Sequence, residues 1–448
     1  MNYSYPDDEL KPLSCEGRSR GRDSSRGELD SCMGNFSLTL IDGLDTLAVM
    51  GHYDKFKEGV NLVLKNTRYD TNLIVSVFEV TIRVLGGLLS SHVISLKLKE
   101  MGIFNDYNGG LLAHALDLGE RLLVAFNTPT GLPYPKVNLK TKTVVTHSPV
   151  TCLACAGSLF LEFATLSHLS RRSEFYDAVS KTMNTLFSYK TSYSLVPSAF
   201  HVVTGAVVSY KSGIGAESDS YYETLFKSWA VFQEKKFYEQ FKELYAALVN
   251  KTSMNGQFFF VNAQSPHPHP GDILDHLGCF WPGLQALAGD LEGAIISYQR
   301  YYDVFLKNNF YIPELFKSDG TARDSNYYLR PEFIESTYYL YKATKNVFYI
   351  EVGKQILKSI ERCKTTCGFA TLSDIESITK EDRMDSYFLA ETLKYLYLLF
   401  ATYENSLPYN VDDYIFNTEA HLFLVNQSYF IEAVPPSSFD NSVSPPLA

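Results

Sequence analysis

The sequence predicts an all-α chain whose helices succeed one another in pairs, either an α/α solenoid or a closed α/α toroid. Three observations carry this reading. From Phe36 onward apolar residues recur at helical spacing, in segments of helix length rather than the short alternating runs of strands. The segments come two by two at intervals of a few tens of residues. No interior Pro/Ser/Gly linker divides the 448 residues, so residues 1–434 read as one domain.

Taken in order, the chain opens with a polar stretch. Residues 16–31 are rich in Gly, Arg, Ser and Asp, have almost nothing apolar to bury, and read as a solvated loop. Acidic residues interleave with Arg18, Arg20, Arg22 and Arg26 and no aromatic platform accompanies them, which turns the loop away from RNA. Helices are expected over 37–50, 54–66, 73–92, 108–125, 152–170, 173–188, 218–234, 237–250, 273–288, 290–307, 332–343, 347–362 and 384–402. Between them, Ser194–Pro197, the Phe200–Tyr210 run around Gly205 and the aromatic run Gln257–Val261 have β character. They are expected as short β-hairpins in the inter-helix loops. No repeat of the tetratricopeptide or HEAT kind recurs, which disfavours a plain scaffold solenoid. Pro435–Ala448, rich in Pro and Ser, is expected to be a disordered tail.

Composition excludes several classes. With 45% apolar and 20% charged residues the chain has material for a large core and is not disordered. The net charge of −10 argues against a general nucleic-acid binder. The 31 Tyr and 30 Phe read as an aromatic-rich core before they read as sugar platforms. Seven cysteines do not define a disulfide scaffold, and the sequons at Asn2, Asn35, Asn250 and Asn426 are compatible with the secretory pathway but common by chance. The first residues lack a basic start and an apolar stretch, so no secretory signal is read there, and no run is expected to reach the length of a membrane span.

Chemistry is suggested where charge sits in apolar surroundings. Val75–Leu89 is apolar almost throughout yet carries Glu79 and, one turn on, Arg83, while Gly86 and Gly87 would let another backbone approach. An i,i+4 ion pair is the plain alternative. Ser218 or Asp219 reads from spacing alone as an N-cap. Pro331 suits a first helical position, and Glu332 and Glu335 suit the positive end of the helix, a structural role as well supported as a catalytic one. Phe416–His421 is an oxygen-rich turn suited to a hard cation, and with the buried acids it points to a calcium-dependent glycosidase. Two features invite less. Cys152 and Cys155 have redox spacing but are taken as core cysteines, and His267, His269 and His276 are held in an extended Pro-containing segment that need not converge on zinc.

The segments Ser37–Gly51, Val77–His92, Asp219–Glu223, Leu329–Glu332, Tyr387–Phe400 and Phe416–His421 resemble, in order, the signature blocks of glycoside hydrolase family 47, the class I α-1,2-mannosidases. Within that family the Arg-rich loop after Cys15, Gly131–Lys140 and Ala343–Tyr349 look most like the branch of ER degradation-enhancing α-mannosidase-like proteins. The resemblance implies an (α/α)7 barrel with a sugar in its pore and Ca2+ at its floor. It matches Glu79, Asp219 and Glu332 to the three essential acids, and Arg83, Arg330, His276, Glu335 and Glu391 to sugar-contacting residues. Thr418 matches the calcium-binding residue, with Glu391 and Glu419 holding metal-bound waters. Asp219 thereby moves from cap to site. Inversion, with Glu79 as acid and Glu332 as base, requires the working carboxylates to stand about 6.5–9.5 Å apart.

The same resemblance implies a role in the endoplasmic reticulum lumen, trimming high-mannose N-glycans on misfolded glycoproteins, with a protein disulfide isomerase-like partner as a further expectation. A mannose-binding lectin and an ordinary ER or Golgi processing mannosidase are the competing readings. Cys15 and Cys367 are implied to pair. Departures are also legible: the family's first barrel helix and leader are not found before Asp8, Cys279 lacks a partner some thirty residues on, and Asp385 stands where Glu is common.

Overall fold

In the computed structural model, which describes residues 3–425, the helices fall into two kinds by what they bury. Leu38–Asp42 with Leu44–Val49, Val77–Glu100, Leu153–Ser170, Asp219–Phe232, the short helix His276–Phe280 running into Trp281–Leu287, Glu332–Thr344, and Phe388–Thr392 running into Leu393–Tyr403 form an inner ring. Asp219–Phe232 shows why they lie inside, since every residue from Ser220 to Phe232 is buried. The outer helices Tyr53–Asn66, Gly110–Leu123, Ser173–Ser188, Lys235–Thr252, Leu291–Lys307 and Phe348–Arg362 are amphipathic and bury one stripe. In Phe348–Arg362 that stripe is Tyr349, Val352, Ile356, Ser359 and Ile360, a helical spacing.

Each outer helix packs on the inner helix before it, and the last inner helix packs against Leu44–Val49, closing the ring into an (α/α)7 barrel. Tyr222 meets Trp281 edge-on at 6.3 Å across two neighbouring inner helices. Much of the aromatic surplus lies between the layers: Phe160 on Phe237 (4.6 Å), Trp229 on Tyr238 (4.4 Å) and Tyr245 on Trp281 (5.5 Å). Each such side chain contributes roughly 1.5–3 kcal/mol by leaving water. After the seventh inner helix the described chain turns into the antiparallel hairpin Tyr414–Phe416 and Leu422–Leu424.

Several expectations are corrected. The helix expected from 73 starts at Val77, because Ile74–Ser76 pairs with Lys136–Asn138 as a strand. The segment expected as helix from 273 begins as the strand Ile273–Asp275. The hairpin around Gly205 forms, Ala199–His201 against Val207–Ser209, whereas the run 257–261 divides between two small sheets. Val77–Glu100 and Leu153–Ser170 do reach the length and hydropathy of a membrane span, but both are inner helices, their most apolar windows 78% and 83% buried within the protein. The tail Pro435–Ala448 and the sequons at Asn2 and Asn426 lie outside the described residues.

The Arg-rich stretch is a solvated loop only in part: half of its residues are exposed, but its charges also reach the interior. Arg18, only 8% exposed, pairs with the buried Asp30, and Arg26 bridges Asp30 and Glu9. The buried Asp8 carboxylate accepts the amides of Asn35, Phe36 and Leu38, fixing the start of the first inner helix. A composition poor in apolar residues misled here because paired charge can be buried as well. The disulfide Cys15–Cys367 then ties this start to the far end of the chain.

Candidate active site

The inner helices and the loops at one end of the barrel enclose a cavity of about 520 Å³ that reaches down the pore. Glu79, Arg83, Asp219, Arg330, Glu332, Glu335, Glu391, Thr418 and Glu419 all line it. His276 does not line it directly but lies beside Glu332. Two inner helices are locally widened where they reach the site. Thr81–Leu85 and Phe388–Thr392 are π turns, the first carrying Arg83 and following Glu79, the second carrying Glu391. Such turns recur at functional sites because they re-aim side chains without ending the helix.

One wall is built around Arg83. Its Nε donates to Glu79 at 2.8 Å, its Nη1 pairs with Glu419, and its guanidinium lies 5.4 Å from the Tyr387 ring centre. The i,i+4 pair therefore forms, but inside the cavity and shared with a second carboxylate. Asp219 is the first residue of its helix; its Oδ1 accepts the Ser220 amide at 2.9 Å, and Ser218, the residue before, makes no side-chain cap. Burial pushes Asp219 up to about 7.

The opposite wall carries Glu332 at the start of its helix, directly after Pro331. Burial pushes Glu332 up to about 8 against the charge of Arg330, which is itself held by both oxygens of Glu314. Glu332 Oε2 is buried without a hydrogen-bond partner, 3.7 Å from His276 Nε2, which also has none. His276 Nδ1 is held by the carbonyl of Ile312 at 3.0 Å, which assigns its proton to that nitrogen and leaves Nε2 as an acceptor. Burial drives His276 down to about 4, so the ring is neutral. One turn on, burial pushes Glu335 up to about 8 against the charge of Lys227; Tyr395 donates to Glu335, and Lys227 also pairs with Glu223.

The floor is the turn of the last hairpin. Asn417 Oδ1 accepts the amides of Glu419 and His421 at 3.0 and 2.7 Å, and its Nδ2 donates to Ile82 O and Glu162. Gly86 lets this turn approach, since a Cβ there would lie 2.9 Å from the His421 ring, and Gly87 lets the first inner helix approach, since a Cβ there would lie 2.9 Å from Ile41 O. His421 uses both ring nitrogens, Nδ1 on Asp45 at 2.9 Å and Nε2 on Asp42 at 3.1 Å. Burial opposes its charge, but Asp45 and Asp42 outweigh it and push the imidazole up to about 9. Lys394, fully buried, completes the set at 2.7 Å from Asp45.

Thr418 sits at the tip of this turn. Burial, and then repulsion from Glu419, drives Glu391 well above its ordinary value; burial does the same to Glu419 against the opposing charge of Arg83. Carboxylates outnumber arginines along the lining, and Thr418, Glu419 and Glu391 bring a hydroxyl and two carboxylates to it, with Arg83 paired to Glu419. That donor set fits a hard cation.

Sequence reasoning missed Asp42, Asp45, Glu162 and Lys394, although the signal that singled out Glu79, a charge inside an apolar helical stretch, applies to each. Glu314 carried no such signal, because its loop reaches the site only through the strand pairing of Ile273–Asp275 with Leu315–Lys317. His269 is exposed and far from the buried His276 in character. Cys152 and Cys155 are not core thiols: they form a disulfide in the cavity wall, directly after the short strand Val150–Cys152. Cys279 and Cys363 are free and buried. Asp385 is held by Arg383 at 2.9 Å and by the Tyr387 hydroxyl at 3.2 Å, so the shorter side chain is anchored within the lining.

Barrel and pocket together define a helical barrel with an acid-lined central cavity. The family model of glycosyl hydrolase family 47 matches residues 1–425, and the chain belongs to that family. It is 44% identical over 430 residues to human ER degradation-enhancing alpha-mannosidase-like protein 3, covering 94% of this chain and 46% of that protein. It is 38% identical over 432 residues to ER degradation-enhancing alpha-mannosidase-like protein 1 of Schizosaccharomyces pombe, covering 95% and 54%. The chain thus spans about half the length of these curated relatives. Among solved structures, the α-1,2-mannosidase from Trichoderma reesei shares the fold with a TM-score of 0.80 over 95% of each chain at 24% identity.

Proposed function

We propose that the chain is a calcium-dependent, inverting α-1,2-mannosidase that trims high-mannose N-glycans on misfolded glycoproteins in the endoplasmic reticulum lumen. The observation that carries this is the convergence of Glu79, Asp219 and Glu332 on one cavity whose floor is Thr418 and where Glu332 Oε2 is a buried acceptor without a partner, backed by His276 Nε2. The names of the relatives supply the degradation role and the compartment.

In this reading Glu332 takes the proton of the attacking water. A carboxyl pushed up to about 8 is a stronger base than a surface glutamate once it is ionised, and its free Oε2 is available to that water. Glu79 delivers a proton to the leaving oxygen, directly or through water, while Arg83 keeps its carboxyl aimed into the pore. Asp219 lies on a third side, and Arg330, anchored by Glu314, and neutral His276 hold the sugar hydroxyls. Thr418, with Glu391 and Glu419 behind bound waters, would hold calcium, which would fix the sugar's orientation and offset the excess of carboxylates. A protein disulfide isomerase-like partner would close Cys15–Cys367.

The test is incubation of the purified chain with a high-mannose glycan. Mannose release should need calcium and stop with chelator, zinc alone should not restore it, and full activity restored by zinc would contradict the assignment of the floor.

A further inference from the structure

The Cys152–Cys155 disulfide sits where the strand Val150–Cys152 meets the inner helix Leu153–Ser170, in the lining of the acidic cavity. It is a poor staple. Its cysteines are three positions apart, so closing that loop removes little freedom from the unfolded chain, whereas Cys15–Cys367 spans 352. The junction is also fixed without it: Cys152 pairs with Ala199 across the sheet, and the amides of Leu153 and Ala154 donate to Ser198 O and Glu217 O at 2.8 Å. Both cysteines are partly exposed, unlike the enclosed free thiols Cys279 and Cys363.

The next amide of that turn points at sulfur. Cys155 N–H donates to Cys152 Sγ at 2.9 Å, and the same donor would stabilise a Cys152 thiolate if the disulfide opened. Cys152 is therefore the better leaving sulfur and Cys155 the sulfur open to attack. A third sulfur, the free thiol of Cys32, lines the same cavity. Burial, then the charge of Glu9, pushes that thiol well above its ordinary range, so it stays protonated and leaves the disulfide to thiols from outside.

We propose that Cys152–Cys155 is a thiol–disulfide exchange site that captures a cysteine presented by a glycan-bearing protein at the cavity. The incoming thiolate attacks Cys155 Sγ, the bond to Cys152 breaks, and its electron pair leaves on Cys152 Sγ, which rests on the Cys155 amide or takes a proton from water. The product is a mixed disulfide, with no net oxidation and no further reactant. Return attack by Cys152 on Cys155 Sγ releases the captured thiol and restores the pair. The identity of the presenting chain rests on the glycan reading of the cavity, and the exchange chemistry does not.

The surrounding charge supplies a test that an ordinary surface disulfide would not pass. Glu79, Glu217 and Asp219 line the same cavity, so a cationic thiol should reach the disulfide faster than an anionic one. The oxidised chain is exposed to cysteamine or to glutathione, quenched by alkylation and mapped by mass spectrometry. Cys152–Cys155 should open while Cys15–Cys367 stays linked, about tenfold faster with cysteamine at low salt, the difference closing near 1 M salt. A pair that stays linked under conditions that open Cys15–Cys367, or that opens equally fast with both thiols at low salt, overturns the proposal. In a second arm, a denatured protein with one free cysteine beside a high-mannose glycan is offered with and without that glycan. A covalent adduct on Cys155 that needs the glycan supports capture, and an adduct that is absent or indifferent to the glycan overturns it. Rapid cysteamine exchange with no binding of the isolated glycan would locate the failure in the glycan reading instead.

Discussion

Two buried histidines face opposite duties in this barrel. His421 in the floor uses both ring nitrogens on Asp42 and Asp45 and is held charged, up to about 9. His276 in the wall uses only Nδ1, is driven down to about 4, and turns an unpaired Nε2 toward Glu332. Equal burial therefore does not set a histidine's role; the partners do. Where the chain must hold shape, polar capacity is filled from within, and where a ligand is to be bound it is left open.

The staple should separate stability from both histidines with the largest effect. Cys15→Ser removes the Cys15–Cys367 closure, which in the chain-entropy account is worth about 6 kcal/mol, and should lower the denaturation midpoint without altering the pH dependence of either site. A pH profile that moved with the staple would mean that the floor depends on it.

Next comes the floor. His421→Gln leaves Asp42 and Asp45 facing a neutral partner and should cost about 3 kcal/mol near pH 6 in urea unfolding, as loss of one partner of a buried pair does. Because the folded pKa is raised from 6.5 to about 9, that contribution is complete below pH 6.5 and is lost as pH rises through about 9. Wild type and variant should converge toward pH 9, and a gap that widens with pH would refute the charged assignment.

The smallest effect belongs to the wall. His276→Gln should change unfolding stability by less than about 1 kcal/mol, since Nε2 has no partner to lose and the Gln amide can donate to Ile312 O in place of Nδ1, yet reduce kcat/KM for mannose release by about 10–100-fold. Equal losses in stability and rate would make His276 a structural residue.

Much of this contrast was visible in the sequence, though unevenly. The helical succession and the acids Glu79 and Glu332 stand out because charge in an apolar stretch has few explanations. The roles of Asp219 and Thr418 came only from the family blocks, because a polar residue at a helix start or in a turn has an ordinary explanation. Asp42 and Asp45 carry the same signal as Glu79, but their role is not legible because their partner His421 lies nearly four hundred positions away in the chain. Arg18 and Arg26 misled for the converse reason, since Arg18 is buried against Asp30 twelve positions on and Arg26 reaches back to the buried Glu9, pairings that composition does not announce.

The central claim, that Glu332 is the base of a mannosidase whose sugar-holding groups act without it, is tested most directly by following glycan binding and the anomeric form of released mannose in wild type and Glu332→Gln. Wild type with calcium, under oxidising conditions, should release inverted product; the variant should bind the glycan as tightly and release mannose about 10²–10⁴-fold more slowly. Equal release by both proteins would remove Glu332 from the chemistry, and binding without any release by the wild type would make the barrel a lectin.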